Sequence, residues 1–130
     1  MTVRELATIG HPVLRERSRE LDPVELGDPA VQRLIDEMIE TMRAHVGAGL
    51  AANQVGEAVR VAVVEVDDNP RYPYKPNIPL TVMVNPSIEP VGAERIEINE
   101  GCLSVPDLRA EVERHAEVRV RYLDRAGEPR

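Results

Sequence analysis

Aromatic residues are nearly missing from this chain, which has three tyrosines, no phenylalanine and no tryptophan. A core must therefore be assembled from Val, Leu, Ile, Met and Ala. Cysteine is equally scarce. Cys102 stands alone, so no intrachain disulfide can form and a disulfide-stapled secreted scaffold is excluded. Positive charge is outnumbered, with 16 Lys and Arg against 23 Asp and Glu for a net charge of −7. That balance excludes the basic face a nucleic-acid duplex requires, and it disfavours adsorption to anionic membranes. No apolar run approaches the ~18 residues of a membrane span. The opening MTVRELATIGHPVL lacks the apolar stretch of a signal peptide. The reading is one cytoplasmic domain over residues 1–130, long enough to bury about two-thirds of its unfolded surface.

What is present is patterned. Turn signals at Gly10-His11-Pro12 and Asp22-Pro23 make residues 1–27 mostly loop with a short turn of helix. Asp28 is a good N-cap and Pro29 suits the first helical position. Val31, Leu34, Ile35, Met38, Ile39, Met42 and Val46 then recur at helical spacing, predicting an amphipathic helix over 29–45. Asp36, Glu37, Glu40 and Arg43 are assigned to its outer side, and Gly47 to its C-terminal stop. Residues 60–66 (RVAVVEV) predict a buried strand. The proline-broken stretch 67–79 reads as a surface loop. Residues 80–85 (LTVMVN) predict a strand closed by Pro86, and 88–98 alternate less cleanly, with Gly92 marking a bulge or turn. Residues 108–113 and 116–123 both read as strands. In the second, Val118, Val120 and Tyr122 face one way and Arg119 and Arg121 the other. Asp124-Arg-Ala-Gly127 has hairpin-turn chemistry, yet only Glu128, Pro129 and Arg130 follow it. The expectation is a last strand that reaches its turn without a partner, in a sequence that has been cut.

Two segments can carry chemistry. Gly47-Ala-Gly-Leu-Ala-Ala-Asn-Gln-Val-Gly56 lies between the helix end and a buried strand, and its side chains are nearly all small. Small residues let backbone approach a ligand closely, and Gln54 offers both a donor and an acceptor, suited to a developing oxyanion. The same segment also reads as a helix cap and tight connection with Gln54 on the surface. Glu100-Gly-Cys-Leu-Ser104 holds the lone cysteine, which suits a nucleophile or metal ligand, or equally a small inert core residue.

Taken together, G-A-G-L-A-A-N-Q followed by E-G-C-L-S resembles the first two signature motifs of the peptide deformylase family, in the right order and at the right separation. His11-Pro-Val-Leu-Arg15 is similar to the family's usual opening. The resemblance implies an α+β fold, with the N-terminal amphipathic helix packed on antiparallel strands and the family's C-terminal helix absent. It implies hydrolytic removal of the formyl group from N-formylmethionine of nascent polypeptides, with ribosome-associated chains as partners. The implied cofactor is Fe(II), with other divalent metals such as Zn or Ni substituting. Cys102 would ligate the metal, Gln54 would bond the formyl oxygen or metal-bound water, and the Leu103 N–H would complete the oxyanion hole. Gly47, Ala48, Gly49 and Gly101 would line the substrate groove.

The third motif the family carries, H-E-x-x-H on a helix, does not occur in these residues. His11, His45 and His115 have no histidine four positions on and no following glutamate. One thiolate holds a metal poorly where three protein ligands are normal. The chain by itself is therefore expected to be inactive, with apolar strand faces left exposed. Two rival readings remain: a non-catalytic formyl-peptide binder that keeps the groove, and a cysteine-dependent hydrolase or thiol sensor with His115 as the base of Cys102.

Overall fold

The computed structural model describes residues 2–130. Its helices begin where the sequence supplies caps. A short helix, α1 (Pro23–Leu26), opens on a capping box formed by Asp22 and Glu25. The main helix, α2 (Pro29–Ala44), opens on Asp28, whose carboxylate accepts from the Ala30 N–H at 2.8 Å. Its end is a reversal in which the Val46 N–H donates to Arg43 O (3.1 Å) and the Gly47 N–H to Met42 O (2.9 Å). Val46, not Gly47, occupies the left-handed position, at φ 55°, so the expected stop falls one residue early.

The buried face of α2 comprises Leu34, Ile35, Met38, Ile39 and Met42. Glu37 departs from its expected outer position and is buried. The N-terminal segment crosses the helix there: the Arg4 N–H donates to Thr41 Oγ1 at 2.8 Å, and the Arg4 guanidinium lies 3.4 Å from the Glu37 carboxylate. The charge is buried because it is paired.

Six strands follow: β1 (Gly49–Ala51), β2 (Val61–Val66), β3 (Ile78–Pro90), β4 (Arg95–Cys102), β5 (Val105–His115) and β6 (Val118–Leu123). An antiparallel sheet runs in the order β1-β2-β3-β6, and β4 pairs with β5 in a second, two-stranded sheet. Residues 78–123 form one long ribbon. The β3–β6 ladder ends at Pro90 opposite Val118, and the β4–β5 ladder begins at Arg95 opposite His115. The bend between them contains Gly92 at φ 74°.

Two expectations fail along this ribbon. Pro86 does not close β3, because the strand passes through it on a register shift between Val84 and Ser87. Asn85 takes a left-handed conformation there (φ 51°), and its side chain clamps the backbone of Leu21 through bonds of 2.9 Å to N–H and 2.7 Å to C=O. A bulge removes the ladder bond that proline cannot make. The last strand is also not unpartnered, since β6 lies against β3. Beyond the Asp124 turn the chain folds back, and Tyr122 and Arg130 exchange backbone bonds of 3.3 and 2.8 Å. The core joins the apolar face of α2 to Leu50, Ala52, Val55, Val61, Val63 and Val84, with Leu21 and Leu26 closing one end. No helix among the described residues is long and apolar enough to cross a membrane.

Candidate active site

After β1 the chain makes one 3₁₀ turn, Ala52–Val55, that ends on Gly56 at φ 90°. The turn points Gln54 back at its own start. Its Oε1 accepts from the Ala51 N–H at 2.9 Å, which fixes the amide, because only the oxygen can satisfy that donor. The Gln54 Nε2 group is thereby aimed outward, donating to Ser104 Oγ at 3.0 Å and reaching Cys102 Sγ at 3.5 Å.

Cys102 comes from the other side of the molecule, on the tip of the β4–β5 ribbon. Leu103 and Ser104 are its two turn residues, with Cys102 opposite Val105. The N-terminal segment stitches the two parts together, with the Ala7 N–H donating to Gln54 O (2.7 Å) and the Ile9 N–H to Ser104 O (2.8 Å). Ser104 is buried, whereas the Cys102 thiol is exposed.

Between β1 and β4 lies a groove of about 380 Å³ reached by Gln54, Cys102 and Leu103 and floored by Gly47, Ala48 and Gly49. β1 is the edge of its sheet, so its outer side faces this groove without a strand partner. Gly47 packs closely on Leu103: a Cβ there would sit 2.8 Å from Leu103 Cδ1, so a larger residue would push the leucine side chain aside. The loop that precedes β3 closes one end. Tyr72 is buried, with its hydroxyl 3.5 Å from Gly101 O, and Tyr74 donates to Asn99 O at 3.0 Å. On β4, the Glu100 carboxylate receives both prongs of Arg114 at 2.7 Å. That fork holds the Glu100 carboxyl below its ordinary range.

No histidine among the described residues lines this groove, although His45 borders the adjoining cavity that Cys102 and Leu103 also line. His11 Nδ1 accepts from the Val13 N–H at 3.1 Å, and His45 Nδ1 lies 2.9 Å from Thr41 O. His115 pairs with Arg95, seven residues along β4 from Cys102 and roughly 20 Å away at about 3.3 Å per residue. A Cys102–His115 catalytic pair is thereby ruled out. Among the described residues no group of three or more His, Cys, Asp and Glu side chains could hold a metal ion. Cys102 alone does not make a metal centre.

A family model for polypeptide deformylase matches residues 3–130. The chain belongs to the polypeptide deformylase family. This is a family of hydrolases, and its curated members match along most of the chain. The peptide deformylase of Leptospira biflexa is 42% identical over 125 residues, covering 95% of this chain and 70% of that protein. That of Bartonella tribocorum is 45% identical over 127 residues, covering 98% and 68%. Among solved structures, the Met-Ala-Ser-bound class I type b peptide deformylase of Acinetobacter baumannii superposes with a TM-score of 0.94 at 40% identity, covering 99% of this chain and 81% of that one. The actinonin-bound form of the same enzyme gives a TM-score of 0.87 at 34% identity. The mixed α+β, mostly antiparallel fold is the deformylase fold.

Against that family background, Gln54, Leu103, Cys102, Gly47, Ala48, Gly49 and Gly101 all border the one groove. Glu100 also lines it and Ser104 is buried behind it, holding Gln54, although the sequence reading gave neither a role beyond its place in the E-G-C-L-S motif. Arg71 and Tyr72 were missed for a different reason: a proline-rich loop reads as solvated surface.

Proposed function

We propose that the groove between β1 and β4 binds the formylated methionyl end of a peptide and presents its formyl group to Gln54, Leu103 and Cys102 for deformylation. The observation that carries this reading is the convergence of Gln54 Nε2 on Cys102 Sγ at 3.5 Å, at the mouth of a groove with a free sheet edge. An extended peptide adds to such an edge through main-chain bonds, and the small side chains of Gly47, Ala48 and Gly49 leave room for it. The formyl oxygen would accept from Gln54 Nε2 and from the Leu103 N–H. Both donors strengthen as negative charge grows on that oxygen in a tetrahedral intermediate. Because Ala51 and Ser104 already fix the Gln54 amide, no reorganisation is needed when the charge develops.

Family hydrolysis depends on a metal, taken here as Fe(II). The Cys102 thiolate would be its donor here, and among the described residues no group of three or more His, Cys, Asp and Glu side chains completes a site. For this reason the chain alone is inactive in our reading. Formate release from formyl-Met-Ala-Ser should stay at background, and measurable turnover by the pure chain would refute this. The substrates are nascent chains in the cytoplasm, as the resemblance implies.

Equilibrium binding tests the groove itself. The chain should bind formyl-Met-Ala-Ser amide about tenfold more tightly than Met-Ala-Ser amide, the yield of two hydrogen bonds of ordinary net strength. Equal affinities would overturn the assignment. The single metal donor also favours a second reading, metal-independent formyl-peptide binding without catalysis. Under that reading the affinity is unchanged by a chelator, whereas a decrease would implicate a metal held at Cys102.

A further inference from the structure

Most arginines of this acidic chain sit against a carboxylate. Arg4, Arg19, Arg43, Arg60, Arg95, Arg114, Arg119, Arg121, Arg125 and Arg130 all have one at ion-pair distance. Among the described residues Arg15, Arg17 and Arg33 do not, and neither do three cations gathered at one end of the groove, where Arg71 and Lys75 line its wall and Arg109 lines the cavity beside it. Around the buried ring of Tyr72 lie Arg109 Cζ at 4.9 Å, Lys75 Nζ at 5.4 Å and Arg71 Cζ at 5.9 Å from its centroid. None of the three has a carboxylate partner among the described residues. Arg71 donates to His45 O at 3.5 Å and Arg109 to Asn99 Oδ1 at 3.2 Å, both neutral acceptors.

Like charges gathered this closely repel unless an anion joins them. The tyrosine ring attracts each cation through its negative face but carries no net charge. The anionic group on the groove wall is Glu100; both its oxygens bond Arg114, and Lys75 acts on it through space without coming to ion-pair distance. Asp107 borders the neighbouring cavity and makes no ion pair with Arg109. The cluster is therefore a positive site on a chain whose net charge is −7.

Its position decides what it can read. Arg71 and Arg109 converge above Gly101: a Cβ placed there would lie 3.5 Å from Arg71 Nη2 and 3.5 Å from Arg109 Cγ. Gly101 adjoins Cys102, so the cations stand one residue away from the place where the formyl group is presented. A peptide leaving that point along the groove meets Arg71 and Lys75 on its wall, with Arg109 beside Gly101 in the adjoining cavity. Guanidinium forks match carboxylates.

We propose that Arg71, Lys75 and Arg109 form a carboxylate-reading subsite that selects formylated peptides with an acidic side chain in the first residues after the methionine. The proposal rests on the groove reading above, and the experiment separates the two. Four C-terminally amidated peptides are titrated into the full chain at low and high salt: formyl-Met-Ala-Ser, formyl-Met-Glu-Glu, formyl-Met-Lys-Lys and unformylated Met-Glu-Glu. A fifth, formyl-Met-Ala-Ser as the free acid, asks whether a terminal carboxylate serves as well as a side chain.

The acidic formyl peptide should bind about tenfold more tightly than the neutral one at low salt, a difference of about 1.4 kcal/mol. The lysine peptide should bind more weakly than either. The preference should shrink at high salt, where the screening length falls to about 3 Å at 1 M. In Arg71→Gln, Lys75→Gln and Arg109→Gln chains the acidic-to-neutral ratio should fall towards one, and most in the arginine variants. Equal binding of acidic and neutral formyl peptides by the unmodified chain would overturn the subsite and leave the groove reading standing. Equal binding of Met-Glu-Glu with and without the formyl group would overturn the groove reading. Failure of all the peptides to bind would overturn both.

Discussion

Replacing Ser104 by alanine removes one oxygen from the point where the two halves of the site meet. In the native arrangement Ser104 is 4% exposed and its Oγ accepts from Gln54 Nε2 at 3.0 Å. A neutral hydrogen bond is worth about 0.5–1.5 kcal/mol net. The upper part of that range applies, because the acceptor is buried and water can reach the abandoned donor only from the groove side. A loss of about 1–1.5 kcal/mol corresponds to a fall in Tm of about 4–6 °C in a chain of this size.

The functional consequence is separable. Gln54 keeps its anchor on the Ala51 N–H at 2.9 Å but loses the second. Ordering a free Gln side chain costs about 1.5–2 kcal/mol. If half of that returns on loss of one anchor, formyl-peptide affinity falls about fivefold. Binding of the unformylated peptide does not use this donor and should not change. Ser104→Thr retains the oxygen and adds a methyl group at a buried site, so it should melt early while keeping the ratio of formylated to unformylated affinity. Thermal melts and titrations of both variants decide the matter. Were Ser104→Ala to melt within about 1 °C of the parent with the affinity ratio intact, Ser104 would not be holding Gln54, and the preorganisation argument would fail.

Further tests follow from single residues. Val46 is a β-branched residue at φ 55° and is 43% exposed; Val46→Asn, which tolerates that conformation, should raise urea stability by about 0.5–1 kcal/mol, and a loss would show that the Val46 side chain packs usefully. Asn85→Ala removes the two bonds to Leu21 and leaves Ala in a left-handed position, costing about 2–4 kcal/mol. Asn85→Gly relieves only the backbone term and should fall between Asn85→Ala and the parent; equal midpoints for the two variants would contradict the assignment of strain. Glu100, held below its ordinary range by Arg114, contributes stability that is fully present above the unfolded-state pKa of about 4.3 and is lost as pH falls through its depressed folded value. The stability gap between the parent and Glu100→Gln should therefore be constant near neutrality and close as the pH falls below the ordinary carboxyl range, and a gap independent of pH would contradict the pairing.

Much of the fold is written locally. The start of α2 at Pro29 follows from Asp28 and the proline behind it, and its buried stripe follows from the spacing of Leu34, Ile35, Met38, Ile39 and Met42. What local pattern does not contain is what crosses the chain at a distance. Glu37 has a surface residue's identity, and only the N-terminal segment carrying Arg4 across the helix buries it. Pro86 reads as a strand end because a regular ladder cannot use it. The bulge that admits it depends on Asn85 finding Leu21, 64 positions earlier.

The site shows the same division more sharply. Gln54 and Cys102 are 48 positions apart, one on the 3₁₀ turn after β1 and the other at the end of β4, so no periodicity joins them; motif order alone did. The physical agents of their meeting are a ribbon bent near Gly92, which swings its tip back over the molecule, and a leading segment whose Ala7 and Ile9 N–H groups tie Gln54 O and Ser104 O together. Ala7 and Ile9 act through backbone, which is why their identity gives no signal of the task. Arg71 and Lys75 are invisible for the converse reason. Their side chains carry the information, but a charged residue in a proline-rich loop is normally solvated. Only their gathering around Tyr72, without a carboxylate partner, distinguishes them from the arginines that pair with glutamates elsewhere. Among the described residues Arg15, Arg17 and Arg33 also lack a carboxylate partner, so it is the gathering of unpartnered cations around one buried ring, and not a lone one, that points to a binding surface.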